Sequence, residues 1–530
     1  MSEEKNFQQF LDTFTQKVSV KDKQARKAGW ILETTGSKDA ADLKAELETE
    51  LKALFSDKEI YQKLLEWDRD PTMTDPLLKR QLNVLIRTFK QNLLPLDLLQ
   101  KMSEEEAELA QTYGNFRAVL EGKELSENDI VKLLKEEKNP EKRKKVWEAS
   151  KEIGKAMAPG ILRLVELRNK AAVALGYPNY FSMMLQLQEV DEKWLFETLE
   201  TLVEKSDKAY SEMLDGLKKE QAKKFGVKEE ALGPWAWSDP FCQGDPLDVA
   251  ELDELVDGVD FIEAAASFYQ KMGIDVKAVL EKSDNFERTG KNQHAFCTNI
   301  DREKDVRTLN NLRPTLRWLE TLLHELGHAV YELGYDPSLS WFLREYPHVL
   351  TTEAMALMAG RQVYRTASLK QLVGDSEKKR ALMQKAEKSL TRRQLIFSRF
   401  VLVMTTVERE LYKNPHQNMN KVWWDAVEKY QKLTPSNSRE HGFDWAAKMH
   451  LGLAPVYYFS YLLGELFASS IEEKLKEKTG TIELISSDAG HFLQEKLFFP
   501  GNRFHWNQLV EHVTGASLTP VHWLKQFANV

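Results

Sequence analysis

The stretch TLLHELGHAVYELG (residues 321–334) sets two histidines four positions apart, with a glutamate directly after the first. On a helix His324 and His328 project from one face a turn apart, so both imidazoles reach one ion and Glu325 reaches the water beside it. Zinc suits nitrogen and carboxylate donors. The motif is flanked by apolar residues, TLL before and AVY after, so an unpartnered charged triplet would be costly to bury, and a cation supplies the partner. A catalytic zinc needs a third protein ligand and an open fourth position. Glu353, in HVLTTEAMALMAGRQ, stands in an apolar helical setting, with Thr351 or Thr352 expected to cap that helix and aim the glutamate inward from its first turn. Glu332 and Glu345 compete on spacing, and His348 is the alternative nitrogen donor.

Zinc in such a site lowers the pKa of water toward about 7. Glu325 would take the proton as the water attacks a carbonyl and pass it to a leaving amine. The oxyanion formed needs hydrogen-bond donors. KMHLGLAPVYYFSYLLGELF (448–467) concentrates them in Lys448, His450, Tyr457, Tyr458 and Tyr461, with Tyr458 and Tyr461 three apart on one helical face. An aromatic core helix would give the same pattern.

These residues must be held by helices. Leu319, Leu322, Leu323, Leu326 and Val330 follow helical spacing from Leu316, and Gly334 is placed to end the helix. HAFCTNIDREKDVRTLNN (294–311) reads as the one clear hairpin, with DREKD as its turn. Residues 1 to 130 read as successive amphipathic helices such as ADLKAELETELKALF. LRLVELRNKAAVALGYPNY reads as a strong helix stopped at Gly176, with Pro178 forbidding continuation. LGPWAWSDPFCQGDPLD (232–248) breaks the pattern and reads as an ordered loop. We therefore expect an all-α chain with one small hairpin near the site. It forms a single catalytic domain, with an N-terminal helical region (1–130), a helical subdomain (131–290) and a zinc- and substrate-binding subdomain (291–530).

Bulk properties agree. Only 25 glycines and 17 prolines in 530 residues favour helix. A net charge of −8 without a basic block disfavours nucleic acid. No basic leader precedes an apolar run at MSEEKNFQQF, and charge interrupts every apolar run, so a cytoplasmic location away from membranes is expected. Cys242 and Cys297 are expected as small buried thiols, not a bridge. The oligomeric state is left open, with a monomer compatible.

Together, LRNKAAVALGYPNY, the HAF…KDVR hairpin, HELGH with Glu353, KYQKLTP, FDWAAKMH and YFSYLLGEL resemble the gluzincin metallopeptidases over residues 160–525. The resemblance is to the angiotensin-converting-enzyme (peptidyl-dipeptidase A) family, with thimet oligopeptidase and oligoendopeptidase F as relatives. It implies a two-lobed, neurolysin-like helical clam with a deep central cleft, one zinc on its floor, and an N-terminal lid admitting short, unstructured peptides. It implies His324, His328 and Glu353 as zinc ligands and Glu325 as general base. His450 and Tyr461 would donate to the scissile carbonyl and its oxyanion, Tyr457 being able to exchange roles with Tyr458. His294 would bind substrate, and Ala295 would lie on the edge strand pairing with its backbone. Lys448 with Tyr458 would bind a free C-terminal carboxylate. Two positions depart from the pattern. A glutamine of the tryptophan-rich loop is replaced by Trp237, and an aspartate four residues after the third ligand is Leu357, so another group must orient a zinc histidine. The implied activity is release of dipeptides from peptide C-termini. An oligoendopeptidase is the alternative, then a single-residue carboxypeptidase and a catalytically silent peptide receptor.

Overall fold

The computed structural model describes residues 3–247, 250–435, 439 and 441–530. The chain is all-α, and among the described residues its strands make two antiparallel pairs. Contacts divide it into two compact units, each gathered from three segments: Met1–Leu93, Ala250–Glu387 and Leu463–Leu518 in one, Leu94–Val249, Lys388–Leu462 and Thr519–Val530 in the other.

In the first unit the helix Glu3–Thr35 repeats Phe7, Leu11, Phe14 and Val18 along one face. That face buries against Leu64, Trp67, Leu82, Leu85, Phe89 and Phe342. Each such side chain contributes about 1.5–3 kcal/mol on burial, and this stripe rather than helix propensity fixes the packing. Ser37, Asp57 and Asp75 cap the following helices with their side chains, accepting otherwise orphaned backbone N–H groups. Further along the first helix, Trp30 packs with Ile300 and Leu309 and meets Phe296 edge-on, which seats the helix on the expected hairpin. Gly36 and Gly290 lie back to back at φ 67° and 85°. A Cβ on Gly36 would sit 2.8 Å from the Gly290 oxygen, so the approach requires glycine.

The hairpin pairs Phe296–Asn299 with Val306–Leu309. Its strand begins one residue after Ala295, which therefore precedes the edge strand instead of lying on it.

In the second unit the helix Ile153–Ala174 ends as the sequence indicates. Gly176 is left-handed at φ 85°, its N–H donates to the Val173 oxygen and that of Tyr177 to the Ala172 oxygen, a Schellman ending. A second hairpin, Ala118–Leu120 with Lys123–Leu125, interrupts a region read as purely helical. Glu121 and Gly122 turn it, both at positive φ, as tight two-residue hairpins require. The tryptophan-rich loop is ordered by buried donors. Arg143 donates to the Trp235 and Trp237 oxygens, Trp147 to Pro240, and Gln221 to Ala236. Cys242 and Cys297 are both free thiols, the first buried and the second half-buried. Among the described residues, no helix is long and apolar enough to cross a membrane.

Candidate active site

The motif helix runs Leu316–Leu333, capped by the Thr315 hydroxyl at the Trp318 N–H. Its apolar face is buried, and the Tyr269 hydroxyl donates to the Leu323 oxygen from below. Gly334 does end it, but at φ −86° and for want of space: a Cβ there would lie 2.5 Å from that of Phe498. The second helix, Val349–Arg361, is capped by His348, whose Nδ1 accepts from the Leu350 N–H at 3.0 Å. His348 is thus a cap rather than an alternative ligand, Thr351 and Thr352 lie inside the helix, and Glu353 falls in its second turn. Gly327, between the motif's glutamate and second histidine, lets the helices touch. A Cβ on it would lie 2.7 Å from Ala356 Cα. Gly464 closes the other side, where a Cβ would stand 3.0 Å from the Cβ of Glu353.

This packing gathers one nitrogen each from His324 and His328 and one oxygen from Glu353 within 4.8 Å of one another. His324 Nε2 is 3.8 Å from Glu353 Oε2, and the two imidazoles sit edge to face at 4.9 Å. His328 Nδ1 lies 2.7 Å from Thr352 Oγ1, which leaves Nε2 as the donor atom when Nδ1 carries the proton. His324 makes a backbone hydrogen bond with Ala356. Thr352 and Ala356 therefore do the orienting that Leu357 cannot.

The site is electrostatically unusual. Burial pulls His324 down to about 4 and His328 well below its ordinary value, keeping both imidazoles neutral at physiological pH. Burial, then the Glu353 carboxylate, pushes Glu325 up to about 8. Two neutral imidazoles and two crowded carboxyl groups are a donor set that a divalent cation fits, since its charge offsets the repulsion and its softness suits the nitrogens. The rival ligands are engaged elsewhere: Asn299 donates to Glu332 at 3.0 Å, and Arg302 pairs with Glu345 at 3.2 Å. His294 is exposed, its N–H donating to Asn292 Oδ1, and Asn292 in turn is tied to Glu33.

The second unit gathers the remaining predicted residues. His450 meets Tyr458 edge-on at 5.0 Å, and Tyr461 packs against Tyr457 at 5.2 Å and Tyr458 at 5.3 Å. The helix begins only at Phe459, so Tyr458 reaches Tyr461 from the preceding turn. Lys448 Nζ and the Tyr458 hydroxyl both donate to Gln243 Oε1 at 3.2 Å. The ammonium also faces the rings of Phe241 at 5.0 Å and Phe400 at 5.5 Å. Among the described residues Lys448 forms no ion pair, and burial pulls it down to about 8 against the opposing effect of Asp239 and Glu127. Gln243 was not singled out from sequence. Trp237, which the resemblance places at the loop glutamine's position, is 2% exposed and packed into the core. The polar residue of the loop that reaches Lys448 lies six positions later, in FCQG.

A His-Glu-x-x-His helix followed by a glutamate on a neighbouring helix is the gluzincin arrangement. The family model of peptidase family M3 matches residues 133–528, three quarters of the chain, and the chain belongs to that family. The model described as angiotensin-converting enzyme matches residues 1–228. Both are families of zinc metallopeptidases. The chromosomal oligoendopeptidase F of Lactococcus lactis subsp. cremoris is 26% identical over 218 residues, which cover 40% of this chain and 35% of the relative's length.

Proposed function

We propose that this chain is a zinc peptidase that hydrolyses short, unstructured oligopeptides close to a free C-terminus and releases dipeptides. The observation that carries the C-terminal preference is the group of Lys448, Gln243 and Tyr458. A half-buried ammonium among aromatic rings, beside an amide and a phenol, is a receptor for one carboxylate. His324, His328 and Glu353 hold the metal, and zinc supplies Lewis acidity toward water and carbonyl oxygen. Glu325 takes the proton of the attacking water and returns it to the departing amine. His450 and Tyr461 donate to the scissile carbonyl and its oxyanion, with Tyr457 packed behind Tyr461. His294 and Ala295, at the head of the edge strand, contact the peptide backbone. The oligoendopeptidase reading is favoured by the similarity to oligoendopeptidase F and differs in leaving Lys448 without a terminal carboxylate.

A mass-spectrometric time course of one decapeptide, with free and amidated C-termini and a chelator control, decides between them. Stepwise loss of dipeptides from the free form alone is expected. Internal cuts in both forms would establish the endopeptidase.

The pH profile gives a second test. Lys448 binds a carboxylate only while protonated, and the free-enzyme pKa governs kcat/KM. For free peptides kcat/KM is expected to fall as pH rises through about 8, with no matching limb for the amidated peptide. Lys448→Ala should remove that difference and lower kcat/KM on the free peptide by roughly 10- to 100-fold, the loss of a charge-assisted hydrogen bond. Equal effects on both peptides would exclude the carboxylate role.

A further inference from the structure

Immediately before Tyr457 the chain does something a valine rarely does. Val456 is left-handed, at φ 55°, where a β-branched side chain is strained. Two side chains hold it there. Glu408, 3% exposed on the helix Glu377–Lys413, accepts the Val456 N–H at 2.7 Å, and Gln188 donates to the Val456 oxygen at 3.0 Å. The other end of the same loop is gripped by Arg168, which donates to the Gly452 oxygen at 2.8 Å and is itself tied to Glu106 and Tyr412. Gly452 lies so close to Leu109 that a Cβ would come within 2.4 Å of it. The segment from His450 to Tyr458 is thus held at Gly452 by the buried Arg168 and at Val456 by the buried Glu408, whose carboxyl group burial pushes up to about 8.

The loop that carries Gln243 is built in the same way. Cys242, directly before it, is also left-handed at φ 55°. The Asp239 carboxylate accepts the N–H groups of Phe241, Gln243 and Gly244, and Gln431 donates to the Cys242 oxygen at 2.8 Å. Two members of the Lys448–Gln243–Tyr458 group therefore follow within two residues of a strained, non-glycine turn held by a side-chain carboxyl oxygen. Strain persists only where surrounding structure enforces it, and it collects where orientation matters.

We propose that Glu408 is a positioning residue: by accepting the Val456 N–H it enforces the left-handed turn that aims Tyr458 at Gln243 and Lys448 and sets the start of the helix bearing Tyr461. This rests on the substrate roles proposed above for those residues. Glu408 touches no substrate and acts through the tyrosines.

The test compares Glu408→Leu, which removes the acceptor, with Glu408→Gln, whose amide oxygen keeps it. Glu408→Leu should lower kcat at least tenfold on both the free and the amidated peptide and raise KM at least threefold on the free peptide alone. Glu408→Gln should stay within threefold of wild type in both constants. Partial unfolding would instead lower kcat with KM unchanged on both peptides, and that outcome, or wild-type kinetics in Glu408→Leu, overturns the proposal. A crystal structure of Glu408→Leu supplies a readout independent of activity: Val456 is expected to leave the left-handed region and Tyr458 to part from Gln243. An unchanged turn would overturn the assignment. Should Glu408→Leu not fold, Gln188→Leu removes the other grip on Val456 and is expected to show the same KM split at smaller size; kinetics like wild type there would overturn it. If wild type cleaves neither peptide, the peptidase reading fails, while the crystal structures still decide whether Glu408 holds the turn.

Discussion

Glu325→Gln is expected to lower kcat by roughly 10²- to 10⁴-fold while zinc stays bound, the span attributed to a positioned general acid–base group. The three atoms proposed to hold the metal come from His324, His328 and Glu353, none of which the substitution touches. Glutamine matches the volume of the residue it replaces, and the site is 7% exposed at that position, so packing is preserved. What is lost is the carboxylate that accepts a proton. Metal content by elemental analysis and turnover on the free decapeptide check both halves. Wild-type turnover would remove Glu325 as the base, whereas loss of zinc would make it a holder of the metal. The raised pKa adds a sign that can be measured on chelated protein. A carboxyl group whose folded pKa lies near 8 instead of 4.5 keeps its proton better when folded, so stability is present below about 4.5 and declines as pH rises through about 8. Chelated wild type should therefore lose stability across that window more steeply than chelated Glu325→Gln.

How far these features could be read in advance depended on how local their causes are. The motif helix was legible because its apolar residues recur every three or four positions and its histidines sit one turn apart. The ending at Gly176 was legible because a Schellman turn depends on a glycine placed within a few residues of the helix. The expected hairpin rests likewise on two short runs around one turn. Gln243 was not legible: its contacts with Lys448 and Tyr458 join residues 205 and 215 positions apart, and the tryptophans nearby drew attention to the wrong part of the loop. The hairpin at Ala118–Leu125 did carry a local signal, Glu-Gly between short β-favouring runs, which the helical periodicity around it obscured. His348 as a cap reflects a general limit, because an imidazole serves as ligand, cap or core residue and sequence does not say which. Nor does periodicity show that each compact unit is assembled from three separated segments, since that order is set by which apolar faces find one another.

The helix that carries Glu353 ends in a buried ion-pair network, and breaking that network should have the largest effect on stability. At the C-terminal end of the helix Val349–Arg361, Arg361 pairs with Glu465 and, at 3.0 Å, with Glu472, and also contacts Ser469 Oγ at 3.3 Å. All three charged side chains are at most 5% exposed. Removing the arginine takes the guanidinium from two buried carboxylates, of which Glu472 keeps Arg365, and truncating one partner of such a network costs about 3–5 kcal/mol. Arg361→Met is therefore expected to lower the stability obtained from urea unfolding by about that amount. It should also weaken zinc retention in chelator competition, because the helix carrying Glu353 loses its anchor two turns away. The double variant Arg361→Met, Glu465→Leu separates charge from packing. Glu472 keeps Arg365 at 2.9 Å, so the double change leaves no carboxylate without a cation and should be less damaging than the single one. If the double variant proved the less stable, the network would be holding the helix by shape and not by charge. If Arg361→Met unfolded like wild type, Glu353 would owe its place to the close helix contacts at Gly327 and Gly464 alone.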